Sequence, residues 1–305
     1  MLSATINRYV HGSLEPREDD IVRVESGDLG ISVDFADDKS LTFDGRLDLF
    51  KAAIRKLGRG GYDIFLRSEA PPGSGLGSSS AVMVALIGLL KDYHRLALDD
   101  YEIAHMAWQL EREELGIRGG LQDQYAAAFG GFNFIEMGAD QVVVNPLRIK
   151  PDVVHELEHN MLLAFTGRTR SGDHIIEDQS ARLAEHDSEA LAGLRMQKEL
   201  AVSMKNALLS GKLNEFGALL GHAWEYKQKM SPKISTPYIA EAYSAAIGAG
   251  ALGGKVTGAG GGGFMLFYCP FRKKHRVAAE LEKLGISITE FGFTHHGLRT
   301  WTAHG

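Results

Sequence analysis

The 305-residue chain holds a single cysteine, Cys269. No internal disulfide can form, and so little cysteine suits a reducing compartment, which predicts the cytoplasm. Positive charge is not in excess: 33 Lys and Arg stand against 39 Asp and Glu, a formal net charge of −6. That balance gives no general attraction to nucleic acid or to an anionic membrane surface, so neither is expected as a partner. No apolar run reaches the roughly 18–20 residues that span a bilayer. The opening MLSATINRYVHG lacks a basic stretch followed by an apolar core, so it does not read as a secretory signal. Internal repeats and low-complexity tails are missing too. What is present is an ordinary soluble globular composition, 44% hydrophobic and 24% charged. The length exceeds what one core usually organises, so two domains are expected, with Pro151 marking the boundary between 1–152 and 153–305.

The densest local signal is Pro71 to Ala81, which reads PPGSGLGSSSA. A strand-like run, Tyr62 to Leu66, precedes it, and an apolar run, Ala81 to Leu90, follows. Strand, glycine-rich loop and helix form an anion-binding arrangement. Glycine lets backbone approach an anion, and the first turn of a helix offers unpaired N–H groups and a positive dipole end. Two familiar loops are excluded. A Walker A loop needs a Lys just before its Ser or Thr, and none is present. A dinucleotide fingerprint needs glycine at its first, third and sixth positions; Gly73 and Gly75 fit, but the sixth is Ser78. A flexible surface turn remains as the bland alternative. The flanking strand and helix favour a cradle for nucleotide phosphates.

Periodicity supplies the surroundings. Ala4 to Val10, Ile21 to Glu25 and Gly30 to Phe35 read as strands, and Leu47 to Leu57 as a helix stopped by Gly58. The helix after the loop is expected to reach about Leu96. Another starts at Asp99 or Asp100 and runs to about Leu115. Gln122 to Phe129 reads as a short helix, and Phe132 to Met137 and Gln141 to Ile149 as paired strands. Met161 to Phe165 is a strand, and a helical stretch from Asp173 to Lys229 breaks near Asp187 and Gly211. A helix over Tyr238 to Ile247, a strand over Phe264 to Tyr268 and a helix over Arg276 to Leu284 follow. Ile286 to Phe293 and Leu298 to Trp301 read as closing strands.

Several side chains could carry chemistry. Phosphoryl transfer needs a cation beside the phosphates and a carboxylate near the acceptor hydroxyl. Glu111 and Asp123 could supply one each, but by spacing alone Glu113, Glu114 and Asp178 are equally available. The run Gly258 to Gly263 before a strand requires a tight turn or a close backbone approach. A plain hairpin would explain it, whereas one cleft between two domains would explain both glycine-rich loops together. Thr166 to Gly172 carries two arginines and three hydroxyls, a set suited to a phosphate or sugar and equally to a solvated loop. His155-Glu156-Leu157-Glu158-His159 matches the zinc-binding H-E-x-x-H pattern, with Glu177 a conceivable third ligand. Pro151 and the strand at Met161 leave room for at most two helical turns there, and 12 His among many Glu produce the pattern by chance. A short exposed helix is the expectation. Cys269 reads as a small strand residue.

PPGSGLGSSSA resembles the central phosphate-binding motif of the GHMP kinases, and KVTGAGGGGF, Lys255 to Phe264, resembles their C-terminal glycine motif. Both occur in the family's order, and the resemblance covers essentially the whole chain. It implies an α/β (α+β) two-domain fold, with a ribosomal-protein-like β/α domain at the N-terminal side and a ferredoxin-like α/β domain with extra helices at the C-terminal side. It implies ATP and Mg²⁺ as cofactors and a sugar phosphate as acceptor. TGRTRSGD and KISTPYIAEAYSAAIGAGALGGKVTGAGGGGF look most like the members that phosphorylate the anomeric hydroxyl of D-glycero-D-manno-heptose 7-phosphate. Fucokinase-like and other small-molecule members share much of the pattern, and a sugar- and nucleotide-binding protein without catalysis is the non-enzyme alternative. A homodimer is compatible with the resemblance.

Carried over by position, the resemblance implies that Pro72, Gly73, Ser74, Gly75, Leu76, Gly77, Ser78, Ser79 and Ser80 cradle the ATP phosphates. Ser79, with Ser78 as second choice, and Glu111 are implied for Mg²⁺, and Asp123 for the acceptor hydroxyl. Arg168, Arg170, Gly258, Gly260 and Gly261 are assigned to the substrate, the arginines to its existing phosphate. Family members open with a further strand and a substrate-facing basic loop before the segment resembling Leu2 to Val10. This sequence starts at Met1, after that point.

Overall fold

The computed structural model describes residues 1–169 and 172–303. In chain order the first half holds β1 (Leu2–Ile6), β2 (Val10–Pro16), β3 (Val22–Ser26), β4 (Ile31–Phe35), α1 (Asp48–Leu57), β5 (Tyr62–Ser68), α2 (Ser78–Tyr93), α3 (Asp100–Trp108), α4 (Gln122–Phe129), β6 (Phe132–Met137) and β7 (Val142–Pro146). The second holds α5 (Pro151–Asn160), β8 (Met161–Phe165), α6 (Asp173–Ala184), α7 (Ser188–Leu209), α8 (Leu213–Lys229), α9 (Pro237–Ala249), β9 (Gly253–Val256), β10 (Phe264–Tyr268), α10 (Lys274–Lys283), β11 (Ser287–Thr289) and β12 (Phe293–Thr294). The chain divides into two compact units, neither continuous in sequence: Met1–Asn7, Pro72–Leu76 and Phe132–Phe293 form one, and Arg8–Pro71, Gly77–Gly131 and the end from Thr294 form the other.

The unit starting at Arg8 is built on a sheet of order β2-β5-β3-β4, with β3 and β5 parallel and the other neighbours antiparallel. Period-two patterning sets its buried face. Val22 and Val24 on β3, and Tyr62, Ile64 and Leu66 on β5, are buried while the residues between them are more exposed. Its helices bury a complementary stripe, including Phe50 and Ile54 on α1 and Met83, Leu86, Ile87 and Leu90 on α2. Gly58 ends α1 at φ +114, a backbone conformation that glycine adopts and L side chains rarely do.

The unit starting at Met1 holds two sheets, ordered β12-β1-β6-β7 and β11-β8-β10-β9. One apolar core gathers Leu162, Ala164, Trp224, Ile239, Val256, Met265 and Phe267, and a second gathers Val154, Leu157, Leu200, Phe216, Leu220 and Tyr268. Breaks in the long helical stretch fall where expected: Asp187 accepts the Ala190 N–H at the start of α7, and Gly211 sits between α7 and α8 at φ +69.

Three expectations are corrected. Ala4 to Val10 is not one strand. The chain leaves β1 at Asn7, whose N–H donates to the Gly292 carbonyl and whose side chain accepts from the Gly292 N–H, and β2 begins afresh at Val10. Ile286 to Phe293 is likewise two short strands, β11 on β8 and β12 in the sheet of β1. Leu298 to Trp301 forms no strand. The Leu298 N–H donates to the Ala128 carbonyl at the end of α4, and its side chain covers Gly88 of α2, so the segment is held by helices.

Candidate active site

The helix after the glycine-rich loop opens at Gly77, held at φ +73, a left-handed turn that only glycine adopts cheaply. A Cβ there would lie 3.3 Å from the Asp123 Cβ, so the loop backbone and the first turn of α4 touch. Ser78, Ser79 and Ser80 form the first turn of α2. The helix α3 starts with a capping box between Asp99 and Glu102 and ends in a π-helical turn, Gln109–Glu114, in which the Leu115 N–H donates to the Leu110 carbonyl. Glu111 rides on that wider turn and is wholly buried.

Three neutral groups donate to the Glu111 carboxylate. Ser79 Oγ donates to Oε1, Ser80 Oγ to Oε2 at 2.7 Å, and Gln124 Nε2 to Oε2 at 2.5 Å. The nearest cationic group among the described residues is Arg112, whose Nη1 stands 4.0 Å from Oε1 while its guanidinium also holds the Gly120 and Ile117 carbonyls at 3.3 Å. Burial without a close counter-ion is expensive for a carboxylate unless hydrogen bonds satisfy it, and here both oxygens are satisfied.

In the other unit, the first half of the loop lies against the second glycine run. Ser74 is wholly buried, and its carbonyl accepts from the Phe264 N–H at 3.1 Å. A Cβ at Gly258, where φ is +61, would fall 2.7 Å from the Gly75 Cα. The Gly261 N–H donates to the Ile234 carbonyl at 2.8 Å, and the Gly263 N–H to the Arg168 carbonyl at 2.7 Å. Lys227 Nζ donates to the Gly258 carbonyl. The run is therefore a place where three other backbone segments close in, and side chains on it would push them apart. Arg168 stacks its guanidinium on the Tyr238 ring, 4.9 Å from the centroid, on the exposed side of this region. At the head of the run, burial pushes the Lys255 ammonium below its ordinary pKa.

Among the carboxylates that spacing leaves equal, the structure separates them by burial and contact. Glu113 and Glu114 are exposed, Glu114 lying 3.9 Å from Arg55. Asp178 accepts from Ser231 Oγ at 2.5 Å and pairs with Lys233 at 3.2 Å, in the unit that does not hold Glu111. Ser79 reaches Glu111, whereas the Ser78 hydroxyl sits 3.4 Å from the Pro71 carbonyl. Arg170 lies outside the described residues. Two groups escaped the sequence reading, Ser80 as a carboxylate donor and Gln124. Their signal was present: Ser80 follows Ser79 in the first turn of α2, and Gln124 follows Asp123 at the start of α4.

The H-E-x-x-H match lies on α5, which makes 10 residues rather than two turns. Its Glu158 accepts the Phe293 N–H at 2.7 Å, and among the described residues no three His, Cys, Asp or Glu side chains gather as a metal site. Cys269 is buried, and burial pushes its thiol up to about 12, which leaves it unreactive. Among the described residues no helix is long and apolar enough to cross a membrane.

Comparison with known proteins gives this geometry a family. Residues 47–131 match the GHMP kinases N terminal domain, and residues 204–287 match the GHMP kinases C terminal domain. D-glycero-alpha-D-manno-heptose 7-phosphate kinase of Campylobacter jejuni is 37% identical over 308 residues, covering 99% of this chain and 90% of that one. The crystal structure of a D-glycero-D-manno-heptose 1-phosphate kinase from Bacteroides thetaiotaomicron superposes with a TM-score of 0.80 at 34% identity, over 100% of this chain and 90% of that one. The L-fucokinase/L-fucose-1-P guanylyltransferase of Bacteroides fragilis is 32% identical over 227 residues, 73% of this chain and 23% of that protein. The chain belongs to the GHMP kinase family and has its mixed helix-and-strand fold with N- and C-terminal family domains. It is accordingly an ATP-dependent kinase of the sugar-kinase type.

Proposed function

We propose that this chain transfers the γ-phosphoryl group of ATP to the anomeric hydroxyl of D-glycero-D-manno-heptose 7-phosphate, giving the 1,7-bisphosphate. The observation that carries the reading is the buried carboxylate Glu111 with the Ser79 hydroxyl on Oε1, set in the unit where Asp123 packs against the phosphate loop at Gly77. Heptose kinases similar along nearly the whole chain support the acceptor, their names placing phosphate at position 7 or position 1. Phosphorylating a 7-phosphate at the anomeric oxygen accommodates both.

The residues from Gly73 to Ser80 bind the ATP phosphates through backbone N–H groups and the positive end of α2, with Pro72 lining the entry to the loop. Glu111 and Ser79 fit Mg²⁺: they offer one carboxylate and one hydroxyl, hard oxygen donors of the kind that ion takes alongside phosphate oxygens and water. Held there, Mg²⁺ would supply positive charge to offset that of the phosphates. Asp123 accepts the proton of the anomeric hydroxyl as that oxygen bonds to the γ-phosphorus and the bond to the β–γ bridging oxygen breaks. The anomeric hydroxyl is more acidic than an ordinary alcohol, so a modest base and good orientation suffice. Arg168, pre-oriented on Tyr238, contacts the 7-phosphate, together with Arg170. Gly258, Gly260 and Gly261 serve the substrate side by letting backbone close up around it.

The second reading, fucose as acceptor, is favoured by the similarity to the fucokinase-bearing protein. An acceptor panel separates them. ADP release is measured with heptose 7-phosphate, the unphosphorylated heptose, L-fucose and mevalonate. Heptose 7-phosphate should turn over fastest, and Asp123→Asn should lower its kcat by roughly 10²–10⁴-fold. Turnover of fucose without turnover of heptose 7-phosphate would replace the first reading with the second.

A further inference from the structure

The three donors on Glu111 do not divide evenly between its oxygens. Oε2 takes two, from Ser80 at 2.7 Å and Gln124 at 2.5 Å, whereas among the described residues Oε1 takes a hydrogen bond only from Ser79, with Arg112 Nη1 4.0 Å away. Both groups on Oε2 are buried, Ser80 at 2% exposure and Gln124 at 0%. Each comes from a different helix, α2 and α4, while the carboxylate itself rides on the π-helical turn. Gln124 is committed to this contact. Its amide oxygen finds no hydrogen-bond partner among the described residues, so its orientation is dictated by the carboxylate in front of its NH₂ group. A buried amide held with one end unsatisfied is a poor way to gain stability and a precise way to aim an oxygen.

We propose that Ser80 and Gln124 are positioning residues that tie up Oε2 of Glu111 and present Oε1 alone, beside the Ser79 hydroxyl, to the cation. This rests on reading Glu111 and Ser79 as its ligands. The consequence is selectivity. Mg²⁺ is small, holds near-ideal octahedral geometry and suits single oxygens at about 2.0–2.1 Å. Ca²⁺ takes six to eight ligands at longer range and readily uses both oxygens of one carboxylate. A carboxylate whose second oxygen is held by two donors gives Mg²⁺ the contact it uses and denies Ca²⁺ the one it would add.

The test is calorimetric titration of Mg²⁺ and of Ca²⁺ into the full chain with ADP, for the wild type, Ser80→Ala, Gln124→Met, Ser80→Thr and Glu111→Gln, each first shown folded by circular dichroism. Ser80→Ala and Gln124→Met should each raise the ratio of Ca²⁺ to Mg²⁺ affinity by about tenfold or more, in line with the loss of outer contacts at metal sites. Ser80→Thr keeps the hydroxyl and should keep the wild-type ratio. Glu111→Gln should weaken both ions. If Glu111→Gln weakens binding but the ratio stays fixed in Ser80→Ala and Gln124→Met, the positioning role is overturned and the ligand reading stands. Mg²⁺ affinity unaffected by Glu111→Gln overturns both. Should one of the two donor variants fail to fold, the other decides.

Discussion

Glu111 and Asp19 show two ways for this chain to surround a carboxylate, one with neutral donors and one with a cation. Glu111 is wholly buried among neutral donors. Asp19 is half-exposed and is held by Arg17, which also reaches Asp63 at 2.9 Å. The Arg17 guanidinium lowers the Asp19 carboxyl from an ordinary value of 3.8 to about 2. Asp34, beside Arg23, and Asp178, bonded to Ser231, shift in the same direction. The sign follows from linkage: a carboxyl with a lower pKa in the folded state stabilises the fold above its unfolded value and loses that contribution as pH falls through the folded one. The urea midpoint should therefore drop between pH 4 and pH 2, and Asp19→Asn should drop less over that interval. An equal drop in the variant would show that the Arg17 pair contributes nothing measurable, as many surface pairs do.

At the scale of elements, glycine does two jobs that look alike in sequence. At Gly77 it permits the left-handed turn that opens α2, and at Gly258 it permits backbone contact with Gly75. Gly258→Ala would combine a strained φ of +61 with a methyl 2.7 Å from another Cα. It should cost about 1–3 kcal/mol of unfolding free energy, read from urea melts. A variant as stable as the wild type would mean that the two segments are not held together. Most elements could be read from local pattern: Gly58, Asp99 and Asp187 all sit at helix ends where their chemistry belongs. The failures have a common physical cause. Ala4 to Val10 alternates as one strand should, but Asn7 is captured by Gly292, far along the chain, and Leu298 to Trp301 has strand-like residues that find helices to pack on. Strand propensity describes a fit to a half-buried surface, and the surface is not in the local sequence.

For the whole molecule, the two glycine motifs and their order were enough to name the family, because each is a backbone requirement that few other residues satisfy. The discontinuity of the two units was not legible, since it depends on β1 pairing with β6 across more than a third of the chain. Once the motif had been recognised, Glu111 and Ser79 could be singled out as expected Mg²⁺ ligands, and the structure places the two side chains in contact. The candidate site was illegible in Ser80 and Gln124, whose meaning lies in what they touch. The measurement that bears most directly on the proposed chemistry is phosphorus NMR of the product formed from ATP, Mg²⁺ and D-glycero-D-manno-heptose 7-phosphate. A second sugar phosphorus signal, split by coupling to the anomeric proton while the 7-phosphate signal persists, is the predicted result. A new phosphate on any other oxygen, or ATP left intact with this acceptor, would contradict it.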